Sequence, residues 1–251
     1  MKTGEPRIRV FPGPRELARA AAAELLRRGR HAVRQRGTFN LALSGGSTPV
    51  TLYEALAAGS AARSGLWRHV HVFWGDERVV PPEDPASNYG TAWKAGLRRL
   101  RLSADHVHRV RGETADARQA AVAYENELRS RFVGTAWPRF DLVLLGLGTD
   151  GHTASLFPGS DALEEKERWT AATEDGDPSL PRVTLTLPVL NNAAAIFFLV
   201  AGSAKAGALA SLLSPGHQDA VPARRVRPPR GDVIVFADQA AAASLPAAAG
   251  R

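Results

Sequence analysis

Cysteine is absent from the 251-residue chain, so disulfides, thiolate nucleophiles and Cys-ligated zinc are excluded. Long apolar runs are absent as well. The longest, Ala193 to Ala201, falls far short of the roughly 20 residues that span a bilayer. No apolar segment of the signal-peptide kind follows Met1, and Pro6, Pro12 and Pro14 interrupt the start. The expectation is a soluble cytoplasmic protein with no membrane partner. No Gly-x-Ser-x-Gly elbow is present, which argues against a serine triad. The pairs His69/His71 and His106/His108 have the spacing of one strand face, but no nearby set of carboxylates or further histidines completes a closed metal site. No metal is expected.

What is present suits one large α/β domain over residues 1–251: 44% of residues are hydrophobic and 23% charged. Net charge is +7, so nucleic acid must be weighed as a partner. The densest basic cluster, Arg224 to Arg230, carries no aromatics for base stacking and reads as a solvated loop. No nucleic-acid partner is expected. A positive surface also steers small anions toward the protein.

Strand-like and helix-like segments alternate, which predicts an open, mostly parallel sheet with helices on both faces. Strands are predicted at Arg7–Phe11, Phe39–Leu43, Val70–Trp74, His106–Val110, Phe140–Leu145, Arg182–Leu187, Ala195–Ala201 and Val233–Ala237. Helices are predicted at Arg15–Arg36, Pro49–Ala58, Ser87–Arg101, Ala115–Phe132 and Ser203–Leu213, with an Ala-rich helix after Ala237. The Pro- and Gly-rich stretches 81–85 and 214–231 read as loops.

The richest stretch is Asp141 to Ser160. A buried strand ends in a glycine turn that presents Asp150 and His152 at the carboxyl end of the sheet, where such folds bind ligands. A histidine with a carboxylate two residues before it is a candidate general base. Gly146 to Gly151 also matches the dinucleotide fingerprint, and Glu174 lies at a suitable distance for a ribose-binding acid. That fingerprint needs a helix leaving the third glycine, and Phe157-Pro158-Gly159-Ser160 stops one. No nucleotide cofactor is expected.

A second turn, Ser44-Gly45-Gly46-Ser47-Thr48-Pro49, joins a strand to a helix. Ser47 or Thr48 can cap that helix, Pro49 suits its first position, and the free N–H groups favour a phosphate. It is not a Walker A loop, since no Gly-Lys-Ser/Thr follows. Gly75-Asp76-Glu77-Arg78 places three charges at another strand end. Arg78 is a candidate for stabilising an oxyanion, with Asp76 or Glu77 orienting it or a substrate hydroxyl. Arg182 and Lys205 flank two further strands and can reach one phosphate.

The segments SGGSTP, GDERVVP with SNYG, LLGLGTDGHTASLFPG, RVTLTLP and GSAK, in that order, resemble the bacterial 6-phosphogluconolactonases over about Arg7 to Phe236. The resemblance implies hydrolysis of 6-phosphoglucono-1,5-lactone in the oxidative pentose phosphate route, without nucleotide or catalytic metal. It implies His152 as base, Ser44 to Thr48 with Arg182 and Lys205 at the 6-phosphate, and Asp76, Arg78 and Asp150 at the sugar end. The related glucosamine-6-phosphate deaminases carry a glutamate five residues after the histidine. Here Phe157 stands there, which favours lactonase. The alternatives are a deaminase/isomerase or a non-catalytic sugar-phosphate sensor. The oligomeric expectation is a monomer or a small homo-oligomer.

Overall fold

The computed structural model describes residues 6–114, 116–214 and 221–246. Seven strands form one sheet whose pairs are all parallel, in the order β1-β10-β9-β6-β2-β3-β5. They are β1 (Pro6–Phe11), β2 (Phe39–Leu43), β3 (Val70–Trp74), β5 (Val107–His108), β6 (Leu142–Leu145), β9 (Ala195–Val200) and β10 (Asp232–Asp238). A second, antiparallel sheet has the order β4-β8-β7, from β4 (Asp76–Arg78), β7 (Thr170–Thr173) and β8 (Arg182–Leu185).

The helices are α1 (Pro14–Arg36), α2 (Ser47–Leu56), α3 (Gly59–Ala62), α4 (Asn88–Ala95), α5 (Ala117–Arg131), α6 (Asp161–Glu164), α7 (Leu187–Leu190) and α8 (Ala206–Leu213). The central strands are apolar on both sides because both sides are covered. Alternate residues of β6 serve opposite cores. Leu142 and Leu144 join Leu17 of α1 and Leu52 of α2, while Val143 and Leu145 join Leu128 of α5 and Leu209 of α8. The predicted α/β sheet with helices on both faces is therefore present.

Several expectations need correction. The predicted strand Arg182–Leu187 ends at Leu185, with Leu187 opening α7, and it lies in the small antiparallel sheet rather than the parallel one. The segment Ser87–Arg101 is helical only to Ala95, followed by a 3₁₀ turn, and the predicted strand His106–Val110 shrinks to Val107–His108. Beyond Ala237 the described residues hold a 3₁₀ turn, Ala241–Ser244, in place of a helix. The predicted start of α5 at Ala115 and the part of the 214–231 loop over 215–220 lie outside the described residues.

The basic cluster is not a freely solvated loop. Arg224 is buried, Arg225 pairs with Glu164, and Arg227 donates to the carbonyls of Val226 and Leu212, the latter in the last turn of α8. The histidines also meet partners that linear spacing hides. The His71 and His106 rings stack 3.8 Å apart, His71 Nδ1 lies 2.9 Å from His108 Nε2, and His108 Nδ1 lies 2.6 Å from Glu127.

Strand order reverses between β2 and β6: the chain runs outward from β2 to β3 and β5, then returns to lay β6 on the other side of β2. The turns leaving β2 and β6 flank this crevice, which is where a parallel sheet opens a ligand site. They are Ser44–Thr48 and Gly146–His152.

Candidate active site

Each strand leading to the site ends in a turn held by a specific bond. At the end of β2, the buried Tyr53 hydroxyl accepts from Ser44 N–H (3.1 Å) and donates to Ser44 C=O (2.6 Å). Burial pushes the pKa of this phenol up, so it stays a donor. At the end of β3, Tyr124 does the same for Trp74, at 2.9 and 2.8 Å. One phenol thus satisfies both backbone groups of a residue at the strand end. Neither tyrosine is visible as a site residue in sequence, because its partner lies 9 or 50 positions away.

Helix α2 starts at Ser47, with Gly46 as its cap at φ 99°, a conformation that favours glycine. Neither hydroxyl caps the helix, and Pro49 is the third helical residue rather than the first. Ser47 and Thr48 therefore line the cavity with the first turn of α2.

The turn after β6 folds back on itself. Gly148 N–H donates to His152 C=O (2.8 Å), and Thr153 Oγ1 donates to Gly146 C=O (2.8 Å). A Cβ on Gly148 would overlap the His152 ring and the Asp150 carboxylate, so this glycine is required by close approach. No helix leaves Gly151: a Thr153–Leu156 bridge follows, as expected for a turn that is not a dinucleotide site. Ala154 lines the cavity at φ 50°, and this strained turn is tied down by Ser155. Ser155 Oγ donates to Asp76 Oδ2 (2.8 Å), and its N–H donates to Thr184 Oγ1 (3.2 Å).

His152 Nδ1 sits 2.6 Å from Asp150 Oδ1, and its own N–H donates to the same oxygen at 3.1 Å. Burial alone raises the Asp150 pKa, but the backbone and ring of His152 outweigh it, and the net shift is downward. An ionised Asp150 accepts the Nδ1 proton and leaves Nε2 with its lone pair, the tautomer a general base needs. Asp150 is not among the cavity-lining residues; it holds His152 from behind. The Phe157 ring packs on the other side of His152, with centroids 4.5 Å apart.

Glu77 does not line the cavity, its carboxylate being taken up by the start of α4. The other residues predicted for the site line one cavity of about 190 Å³: Ser44, Gly45, Gly46, Ser47, Thr48, Asp76, Arg78, His152, Arg182 and Lys205. Arg78 and Arg182 are direct cross-strand partners in the β4–β8 pair. Like charges in that register repel unless an anion lies between them. Burial first, then Arg78, lowers the Arg182 pKa, partly offset by Asp76 and Asp177. The Nε of each arginine is buried with no hydrogen-bond partner. Lys205 ends the turn after Gly202, whose N–H donates to both oxygens of Asp238 at 3.0 and 3.1 Å. Asn88, in the SNYG segment noted beside Asp76-Glu77-Arg78 but given no role, also lines the cavity, and sequence reading missed Asp238 and the residues Leu199 to Ala201 as parts of this site or its support. The cavity brings His152, held by Asp150, together with three cations, Arg78, Arg182 and Lys205.

Residues 12–235 match the family described as glucosamine-6-phosphate isomerases/6-phosphogluconolactonase. The chain is 40% identical to a 6-phosphogluconolactonase of Nostoc over 95% of its own length and 98% of the relative's. It is 41% identical to the Synechocystis 6-phosphogluconolactonase, over 96% and 98%. The solved 6-phosphogluconolactonase of Trypanosoma brucei superposes with a TM-score of 0.86 at 31% identity, over 97% of this chain and all of that one. Sequence, sheet order and the cavity at the strand ends place this chain in the glucosamine-6-phosphate isomerase/6-phosphogluconolactonase family.

Proposed function

We propose that the protein hydrolyses 6-phosphoglucono-1,5-lactone to 6-phosphogluconate. The observation that carries this reading is the Asp150–His152 pair beside the cationic subsite of Arg182 and Lys205. His152 Nε2 takes a proton from water while the hydroxide oxygen bonds to C1. The carbonyl π electrons move onto the carbonyl oxygen, and Arg78 stabilises that charge. Collapse restores the carbonyl, breaks the bond from C1 to the ring oxygen, and the imidazolium protonates that oxygen. No covalent nucleophile is needed, because a lactone carbonyl is already electrophilic.

The Ser44–Thr48 turn, Arg182 and Lys205 hold the phosphate at the far end and orient C1 toward His152. Asp76, fixed by Ser155, faces a sugar hydroxyl. The product enters carbohydrate metabolism as the open-chain acid of the pentose phosphate route.

The isomerase reading of the same family is weaker here for a specific reason. The side chain against His152, besides Asp150, is the apolar Phe157, where the related deaminases carry a second acid. Supplying glucosamine 6-phosphate and measuring ammonia and fructose 6-phosphate separates the readings. The lactonase reading expects no appreciable ammonia. Turnover at about 1 s⁻¹ or faster, a usual enzymatic rate, would overturn it.

A further inference from the structure

We infer that Asn88 is a positioning residue of this site: its side-chain amide fixes Arg78 and seats the first glycine of the Ser44–Thr48 turn. This inference rests on the reading of the cavity as the site of a phosphorylated lactone. Asn88 opens α4 and is 2% exposed, yet it borders the cavity.

Every polar group of this residue's side chain is committed. Its Oδ1 accepts from Arg78 Nη1, and its Nδ2 donates to the Asp76 carbonyl at 2.9 Å. A flipped amide would set donor against donor and acceptor against acceptor, so the orientation is fixed. Arg78 Nη1 also donates to the Ala86 carbonyl at 3.0 Å. Both protons of that nitrogen are thereby used, which leaves Nη2 as the terminal nitrogen free for a ligand, since Nε is buried. On its other side, Asn88 touches the turn itself. A Cβ on Gly45 would overlap the Asn88 amide, although the φ of Gly45 is not one that demands glycine. Close approach to Asn88 is thus the reason for glycine at 45.

Behind Asn88 stands Glu77, a 2% exposed carboxylate with no cation paired to it among the described residues. It accepts from the N–H groups of Arg78 (2.8 Å), Asn88 (2.7 Å) and Tyr89 (2.7 Å) and from Ser87 Oγ (3.2 Å). Burial raises its pKa despite those bonds. The carboxylate and the Ser87 cap already satisfy the first N–H groups of α4. The Asn88 side chain is therefore not needed to start the helix. Its partners all belong to the site.

The test is a double-substitution cycle in the full chain with Asn88→Ala, Arg78→Ala and both, read as kcat/KM on 6-phosphogluconolactone. Each single change is expected to lower it about tenfold to a hundredfold, the range of one charge-assisted bond. The double variant should be no worse than Arg78→Ala alone. Losses that multiply would overturn the inference. A crystal structure of Asn88→Ala gives an arm that needs no turnover: Arg78 should leave its place, and an unmoved Arg78 contradicts the assignment. Absence of lactonase activity in the wild type removes the proposed function but leaves this structural arm decisive. If Asn88→Ala fails to fold, Asn88→Asp serves. It keeps an acceptor for Arg78, loses the donor to Asp76 and adds negative charge, so KM should rise with kcat little changed. An unaltered KM would overturn the inference.

Discussion

The role proposed for His152 rests on one contact, the 2.6 Å approach of Asp150 to Nδ1. Replacing His152 by alanine should leave the fold intact and lower kcat about 10²–10⁴-fold, the usual contribution of a general base. Circular dichroism and initial rates on one preparation check both halves. At the opposite end, Arg182→Ala and Lys205→Ala should each weaken binding of the phosphorylated ligand by about 1.5–3 kcal/mol. Titration with 6-phosphogluconate measures this directly, and the loss should be absent for unphosphorylated gluconolactone. The predicted residues that line the cavity were legible in the sequence because hydroxyls, glycines and charges crowd the strand ends. Their supports were not. Tyr53 and Tyr124 act on groups brought near by the fold, and nothing in their neighbours marks them; Asn88 lies in the SNYG segment, but its partners across the fold are not visible there.

At the scale of elements, hydrophobic pattern located the long helix α1 and the buried strands β2, β3, β6 and β9, since an apolar run bounded by glycine and charge has few other readings. It failed where the element is short. β4 is three charged residues and β7 is Thr-Ala-Ala-Thr. Both are strands because they pair with β8, a tertiary cause that outranks local propensity. Tyr53→Phe tests the locked strand end. It orphans the Ser44 N–H and C=O and should cost about 1–3 kcal/mol of stability, read as a lower denaturant midpoint.

The β3–β5 edge offers a pH test. Burial, followed by Arg131, His106 and His108, lowers the His71 pKa from 6.5 to about 3, with Asp105 opposing. Glu127 accepts the His108 Nδ1 proton, so His71 donates to His108 Nε2. A histidine kept neutral in the fold stabilises fully above 6.5, and that stabilisation is lost as pH falls from 6.5 toward 3. Stability should decline over this interval, and His71→Gln should flatten the decline. A curve identical to that of the wild type would contradict it.

For the whole molecule, the site is a consequence of topology. The reversal of strand order between β2 and β6 opens a crevice, and the turns that leave those strands line it with Ser44–Thr48 and His152. The small antiparallel sheet then brings Asp76, Arg78 and Arg182 across from the far side. Among the described residues no helix is long and apolar enough to cross a membrane. The central claim is that this arrangement opens a phosphorylated lactone. The most direct measurement is titration of acid released from freshly made 6-phosphogluconolactone, at fixed pH, against its spontaneous hydrolysis. Release should accelerate in proportion to added protein, be inhibited by inorganic phosphate, and be slower with the unphosphorylated lactone. A rate equal to the spontaneous one, or equal kcat/KM for the two lactones, would contradict the account.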